Sequence, residues 1–160
     1  ELFHALREQD WTSGETTILA PNFGRRSHIL EGEADFIVDD MLVDIKTTEN
    51  AVFTKERWRQ IFTYFLLNNV NNVLLREVYD RESDYPELSE IGLYFARHGE
   101  LVTVDMDSVI DEWGEFERFR AWFVDRGIEA NHDGRVNYDD IRAVLTEPYD
   151  FEQQTSLFDY

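Results

Sequence analysis

The chain contains no cysteine, which excludes disulfides, thiolate zinc sites, iron–sulfur clusters and cysteine nucleophiles. Lysine is almost missing too: of 15 basic residues 2 are lysine and 13 arginine, against 34 acids, for a net charge of −19. No apolar run approaches membrane-spanning length and no secretory or transit signal is present, so a cytoplasmic protein with no membrane partner is expected. There is no internal repeat and no low-complexity linker. What remains is a chain of 160 residues, 42% hydrophobic and 14% aromatic, which argues against disorder even with 31% charged residues. That length normally makes one domain with a real core. The sequence opens at Glu1 without a methionine, which leaves an upstream element open.

An acid-rich, lysine-poor surface resembles that of proteins from extremely halophilic archaea, which work in molar salt. There the Debye length is about 3 Å and global repulsion is largely screened. The charge therefore speaks to environment and does not by itself exclude DNA as a partner. An acidic binding module from an ordinary cytoplasm is the plainer reading, and the depletion of lysine weighs against it.

The densest chemistry lies in Glu33–Lys46. Ala34, Phe36, Val38, Met41, Val43 and Ile45 alternate along two runs, the pattern of a β-hairpin with one apolar face. A two-residue turn at Asp39-Asp40 pairs Val38 with Met41 and, counting back, Asp35 with Asp44 and Glu33 with Lys46. Directly paired residues share a sheet face, with Cβ atoms about 4.5–5.5 Å apart. Three carboxylates and a lysine then cluster opposite the apolar face, an arrangement suited to a divalent cation.

Elsewhere a short helix is expected at Leu2–Gln9, a strand at Thr17–Leu19 and the start of another at His28–Leu30. The strongest helix runs from about Thr54 to Asn69, with Trp58, Ile61, Phe62, Phe65 and Leu66 as its apolar stripe. Val73–Val78 fits either more helix or a strand. Asp80–Glu90, with Pro86, reads as loop. Strands at Ile91–Ala96 and Leu101–Val104 form a second hairpin around Arg97-His98-Gly99-Glu100. A short helix capped by Asp105 should reach Trp113, with another over Glu115–Asp125 ended by Gly127, and a last one near Tyr138–Leu145. This order predicts an α/β fold, a mixed central sheet flanked by helices.

Asp35 with Asp44-Ile45-Lys46 resembles the PD-(D/E)XK nuclease superfamily, in which an acid on one strand and a D/E-X-K tripeptide on the next form the catalytic centre. The RecB-like branch adds a glutamine and a tyrosine on the following helix. This chain has Gln60 and Tyr64, four residues apart and so on one helical face. The resemblance spans about Asn22 to Val104. Two features depart from it: Glu33-Ala34 precedes Asp35 in place of proline, and the cysteines of iron–sulfur members are absent.

The resemblance implies a restriction-endonuclease-like α/β/α core and hydrolysis of DNA phosphodiester bonds, RNA not being excluded. Asp35 and Asp44 would hold Mg²⁺ or Mn²⁺ with the Ile45 backbone carbonyl as a further oxygen ligand. Lys46 would position a water or offset charge on the phosphate, with Gln60 and Tyr64 completing the site. Glu33 is either a further ligand or the ion-pair partner of Lys46. Arg25, Arg26 and Arg57 are candidate phosphate contacts, beside their ordinary role as exposed arginines. His28, His4, His98 and Glu8 are weaker candidates. Set against the nuclease is a catalytically inactive nucleic-acid- or clamp-binding module of the same fold.

Two further motifs lie near the C-terminus. Glu129, Asn131, Asp133, Asn137 and Asp140 fall at the first, third, fifth, ninth and twelfth positions of a loop resembling an EF-hand, with Gly134 sixth, which would take Ca²⁺. The first and last ligands depart from that pattern, favouring an Asp-Gly turn before a helix. Gln154, Leu157 and Tyr160 are spaced as in a sliding-clamp (PCNA) interacting peptide; packing of Leu157 and Phe158 back on the domain is the alternative. The expected organisation is thus a nuclease-like core over 1–127, a helical extension over 128–148 and a tail over 149–160.

Overall fold

The computed structural model describes residues 14–24, 31–131 and 138–146. The expectations for Leu2–Gln9, Arg25, Arg26, His28 and the tail with Gln154, Leu157 and Tyr160 lie outside these residues.

Five strands form one mixed sheet in the order β1-β4-β5-β6-β7: β1 Thr17–Leu19, β4 Phe36–Val38, β5 Met41–Lys46, β6 Glu90–Phe95 and β7 Glu100–Asp105. The pairs β1–β4, β4–β5 and β6–β7 are antiparallel, whereas β5 and β6 run parallel. A parallel pair needs a crossover, and helix α1, Lys55–Glu77, supplies it. With α2, Trp113–Asn131, and α3, Tyr138–Leu145, the fold is α/β, a mixed sheet with helices. A separate two-stranded ladder pairs β2, Asn22–Phe23, with β3, Gly32–Glu33.

The β4–β5 hairpin has the expected register, Val38 opposite Met41 across Asp39-Asp40. Asp39 takes the positive φ of 52° that so tight a turn demands, a region aspartate enters more readily than most residues. Both faces of the hairpin are nevertheless buried. Phe36, Val38, Met41 and Val43 pack with Tyr94 on one side, while Ile37 and Leu42 join Ile91, Leu93 and Phe95 beneath α1 on the other. The face carrying Asp44 and Lys46 is therefore a core face with a polar end. It is not the solvent face.

Thr54 caps α1, its hydroxyl accepting from the Arg57 N–H at 3.4 Å. The helix runs eight residues past the expected Asn69, and Val73–Val78 is helical as far as Glu77. Ile61, Phe65 and Leu66 are buried against the sheet; Trp58 and Phe62 stack at 5.7 Å on the flank. Each such fully buried side chain contributes about 1.5–3 kcal/mol. Farther along, Asn68, Asn71 and Asn72 are buried as well. Asn68 Nδ2 donates to the Pro86 carbonyl at 3.0 Å, Asn72 Nδ2 donates to the same carbonyl at 3.2 Å, and Ser83 Oγ donates to Asn72 Oδ1 at 2.5 Å. Asn68 and Asn72 thereby hold the 80–89 loop, so a polar run that looked like a helix end is instead a helix interior.

Two other boundaries shift. Asp105 does not start a helix; its Oδ1 accepts from the N–H groups of Asp107 and Ser108 and closes a single turn. Helix α2 passes through both Gly114 and Gly127. A helical glycine costs about 1 kcal/mol, and Val124 and Ile128, both fully buried against Val70 and Leu74 of α1, outweigh that. The expected boundary at residue 127 consequently falls inside α2, and α3 shares one apolar cluster with α1 and α2.

Candidate functional site

β4 begins at Phe36, and just before it the chain turns aside. Ala20 N–H donates to the Asp35 carbonyl at 2.8 Å and Ala34 N–H to the Pro21 carbonyl at 3.2 Å. The hairpin ladder stops there, so Ile45 N–H has no backbone partner on β4; it donates to Asp35 Oδ2 at 2.5 Å. In an extended strand a residue's N–H and C=O leave on the same edge. The Ile45 carbonyl thus also faces the β4 side, beyond the point where β4 begins.

Asp44 sits on the central strand, under α1, and is 5% exposed. Lys46 Nζ lies 2.5 Å from Asp44 Oδ2. Oδ2 is buried, and this close ion pair is its contact. Burial pushes the Asp44 carboxyl above its ordinary value; Lys46 opposes the shift through a hydrogen bond and its charge, and the nearby Asp35 charge adds to it. Asp35, by contrast, is exposed.

From Lys46 a polar chain climbs onto the helix. Nζ donates to Gln60 Oε1 at 2.7 Å, and Gln60 Nε2 donates to the Tyr64 hydroxyl at 3.0 Å. Helical spacing of four residues stacks Gln60 and Tyr64 one turn apart, and the parallel β5–α1–β6 crossover brings their turns over the end of β5. Asp35, Asp44, Ile45, Lys46, Gln60 and Tyr64 are accordingly brought together.

Glu33 is not part of this group in the expected way. It lies opposite Asn22 in the small ladder, while the Lys46 ammonium meets Asp44 and Gln60, so the cross-strand pair of Glu33 with Lys46 does not form. The departure of the chain at Asp35 is the reason. Arg57 is also turned elsewhere: its guanidinium donates to the Asn50 and Val52 carbonyls and to Thr48 Oγ1, and stacks over Phe95. It fastens the 47–54 loop. His98 likewise bonds the Glu49 carbonyl at 2.8 Å, tying the β6–β7 turn to that loop.

Gly32 was missed as a contributor. A Cβ there would stand 2.9 Å from Leu67 Cδ1 and 3.1 Å from the Tyr64 ring. Only a residue without a side chain lets β3 lie this close to α1 beside Tyr64. The glycine immediately before Glu33-Ala34-Asp35 was the available signal.

The oxygen donors at this strand end are the carboxylates of Asp35 and Asp44 and the Ile45 carbonyl. Magnesium retains several waters and needs few protein ligands, so these three are the groups that could hold it, although Lys46 stands on Asp44 and the Ile45 N–H on Asp35. Among the described residues no group of three or more acidic or histidine side chains could hold a metal. In the EF-hand-like stretch α2 continues through Asn131, which takes Glu129 and Asn131 into helix, and Glu129 pairs with Arg126 at 2.6 Å. Residues 132–137 lie outside the described set. Among the described residues no helix is long and apolar enough to cross a membrane.

Comparison of the chain with known families, curated proteins and solved structures gives no match.

Proposed function

We propose that the chain is a metal-dependent nuclease that hydrolyses DNA phosphodiester bonds. The observation that carries this reading is the cluster at one end of β5, where Asp35 accepts from the Ile45 N–H, Lys46 meets Asp44 and Gln60, and Gln60 meets Tyr64, at 2.5–3.0 Å. An acid on one strand, D-X-K on the next and Gln/Tyr on the following helix is also the order of the nuclease superfamily that the sequence resembles.

Asp35, Asp44 and the Ile45 carbonyl would hold Mg²⁺ or Mn²⁺, which when bound would lower the pKa of a coordinated water and stabilise charge on the phosphate. Lys46 supplies a fixed positive charge beside the reacting phosphate. Gln60 sets the ammonium's direction by accepting one of its protons, and Tyr64 in turn holds the Gln60 amide. Asp44 balances Lys46 electrostatically at the strand end. The exposed side of Asp35 is where a phosphodiester would approach.

The test is cleavage of linear, circular and single-stranded DNA with Mg²⁺ or Mn²⁺ in molar KCl, with RNA alongside. Wild type should cut, while Asp44→Ala and Lys46→Ala should lose activity by about a hundredfold or more, the scale of removing one group that acts only in the transition state. No cleavage by wild type would leave the inactive binding module as the reading, and variants that cut as well as wild type would overturn the roles given to Asp44 and Lys46.

A further inference from the structure

The two carboxylates at the end of β5 are held by partners of different kinds. The Lys46 ammonium lies 2.5 Å from Asp44 Oδ2, and that oxygen is shut off from solvent. Asp44 as a whole is buried, so salt and water do little to screen the contact. Asp35 instead accepts from the Ile45 N–H at 2.5 Å, a neutral donor, through one oxygen of an exposed side chain. An N–H of this kind brings no net charge to Asp35. Asp44, in contrast, is already balanced by a cation built into the chain.

The ammonium also has a second partner. Nζ donates to Gln60 Oε1 at 2.7 Å, and Gln60 Nε2 donates to the Tyr64 hydroxyl at 3.0 Å, which fixes the amide with its oxygen toward Lys46. A lysine ammonium has several N–H donors to divide between neighbours. Lys46 therefore bridges a charged partner on its own strand and a neutral one on α1. Giving up the first contact leaves it anchored by the second.

We propose that Lys46 is a built-in competitor for the divalent cation: it holds Asp44 in the metal-free protein and yields that carboxylate, keeping Gln60, when Mg²⁺ or Mn²⁺ binds. The proposal rests on the metal-dependent nuclease reading and adds to it a control on metal affinity. Its physical basis is charge. A dication that shares Asp44 with the ammonium meets a like charge at close range, and one that displaces the ammonium must break a buried ion pair. Either way Lys46 weakens metal binding. Removing its charge must then tighten binding, whereas ordinary damage to a binding site loosens it. That direction separates a competitor from a structural support.

The experiment is calorimetric titration of Mn²⁺ into the full chain at pH 8 in molar KCl, which screens loose collection of cations by the 34 acids. Lys46→Gln should bind Mn²⁺ about tenfold or more tightly than wild type, the scale of one charge-assisted hydrogen bond. The gain should vanish when Lys46→Gln is combined with Asp44→Asn, since the competition is for that carboxylate. Gln60→Leu leaves the ammonium with Asp44 alone and should weaken binding severalfold, an effect that disappears beside Lys46→Gln. Thermal melts check that each variant folds, and Lys46→Met repeats the test if the glutamine variant does not. Lys46→Gln binding no tighter than wild type, or a gain that persists without Asp44, overturns the proposal even where the wild type cuts DNA. Tighter binding by Lys46→Gln in a protein that cuts nothing supports the competitor and removes the nuclease. Absence of binding by wild type and every Lys46 variant at millimolar Mn²⁺ overturns the proposal as well.

Discussion

Gly32→Ala should destabilise the protein through a clash that also disturbs the candidate site. The new Cβ would meet Leu67 Cδ1 at 2.9 Å and the Tyr64 ring at 3.1 Å. Leu67 is 3% exposed, so its methyl has little room to retreat. Overpacking of this kind costs about 1–3 kcal/mol. Against it stands the loss of backbone freedom in the unfolded chain, which favours alanine by about 0.4–1 kcal/mol. The clash wins, leaving a net cost of about 1–2 kcal/mol. For a chain of this length each kcal/mol lowers Tm by about 2–4 °C, and urea unfolding should show the same loss at an unchanged slope. A double-mutant cycle isolates the cause: in a Leu67→Ala background the nearer obstacle is gone, and most of the Gly32→Ala cost should vanish. A cost below about 0.5 kcal/mol, the size of an ordinary surface change, or one that persists in full beside Leu67→Ala, would refute the steric account. Since the same Cβ presses on Tyr64, the variant should also lose cleavage activity more than its stability explains.

Asn72→Leu removes the amide that serves the Tyr85 and Pro86 carbonyls and Ser83; urea unfolding should register about 1–3 kcal/mol, with faster hydrogen exchange across 80–89. Arg57→Lys keeps the charge but loses the fork that reaches the Asn50 and Val52 carbonyls and Thr48 together; exchange at Val52 should quicken, and an unchanged rate would count against a fastening role. Asp44 gives a pH test in EDTA. Its folded pKa is raised by burial, so the stability carried by the protonated form is complete below the unfolded value of about 3.9 and is lost as pH rises through the folded value. Asp44→Asn should therefore flatten that dependence and be more stable than wild type at neutral pH, while losing any thermal shift with Mg²⁺ or Mn²⁺; a less stable variant would mean the Lys46 contact outweighs burial. A pull-down with a purified sliding clamp tests the expectation for Gln154–Tyr160: capture of the full chain that is lost on deleting the tail supports it, and no capture, or capture retained without the tail, removes that role.

The hairpin was legible because its period of two leaves a single register once the turn is placed; Val38 opposite Met41 follows from counting alone. Gln60 and Tyr64 were legible for the parallel reason, a helical repeat beside an apolar stripe. Glu33 was not, because backbone bonds from Ala20 and Ala34 draw the chain off the hairpin at Asp35, and nothing in an alternating pattern announces where a ladder stops. The length of α1 was hidden by asparagines whose partners, Pro86 and Ser83, lie more than ten residues away. Gly127 misled in the same way: its local preference to end a helix loses to Val124 and Ile128, buried against another helix. Local signals held wherever local geometry decides, and failed wherever a distant partner outweighed them by a kcal/mol or two.

The burial of Asp44 separates what the fold needs from what the site needs. Leu42 lies on the same face two residues earlier and is fully buried against the core. An apolar residue at position 44 would extend that packing, and replacing a buried ion pair with apolar side chains is often neutral or stabilising by about 1–4 kcal/mol. Asp44 instead keeps a buried carboxylate whose pKa burial raises. Lys46 offsets this only in part, being held between Asp44 and Gln60. Asp35 shows the contrasting solution nearby, exposed and hydrogen-bonded by a strand N–H. Two carboxylates so differently solvated at one strand end are a poor device for holding a sheet together. The cost of burying Asp44 therefore argues for chemistry over architecture, and the proposed metal-dependent hydrolysis is a chemistry that would use it.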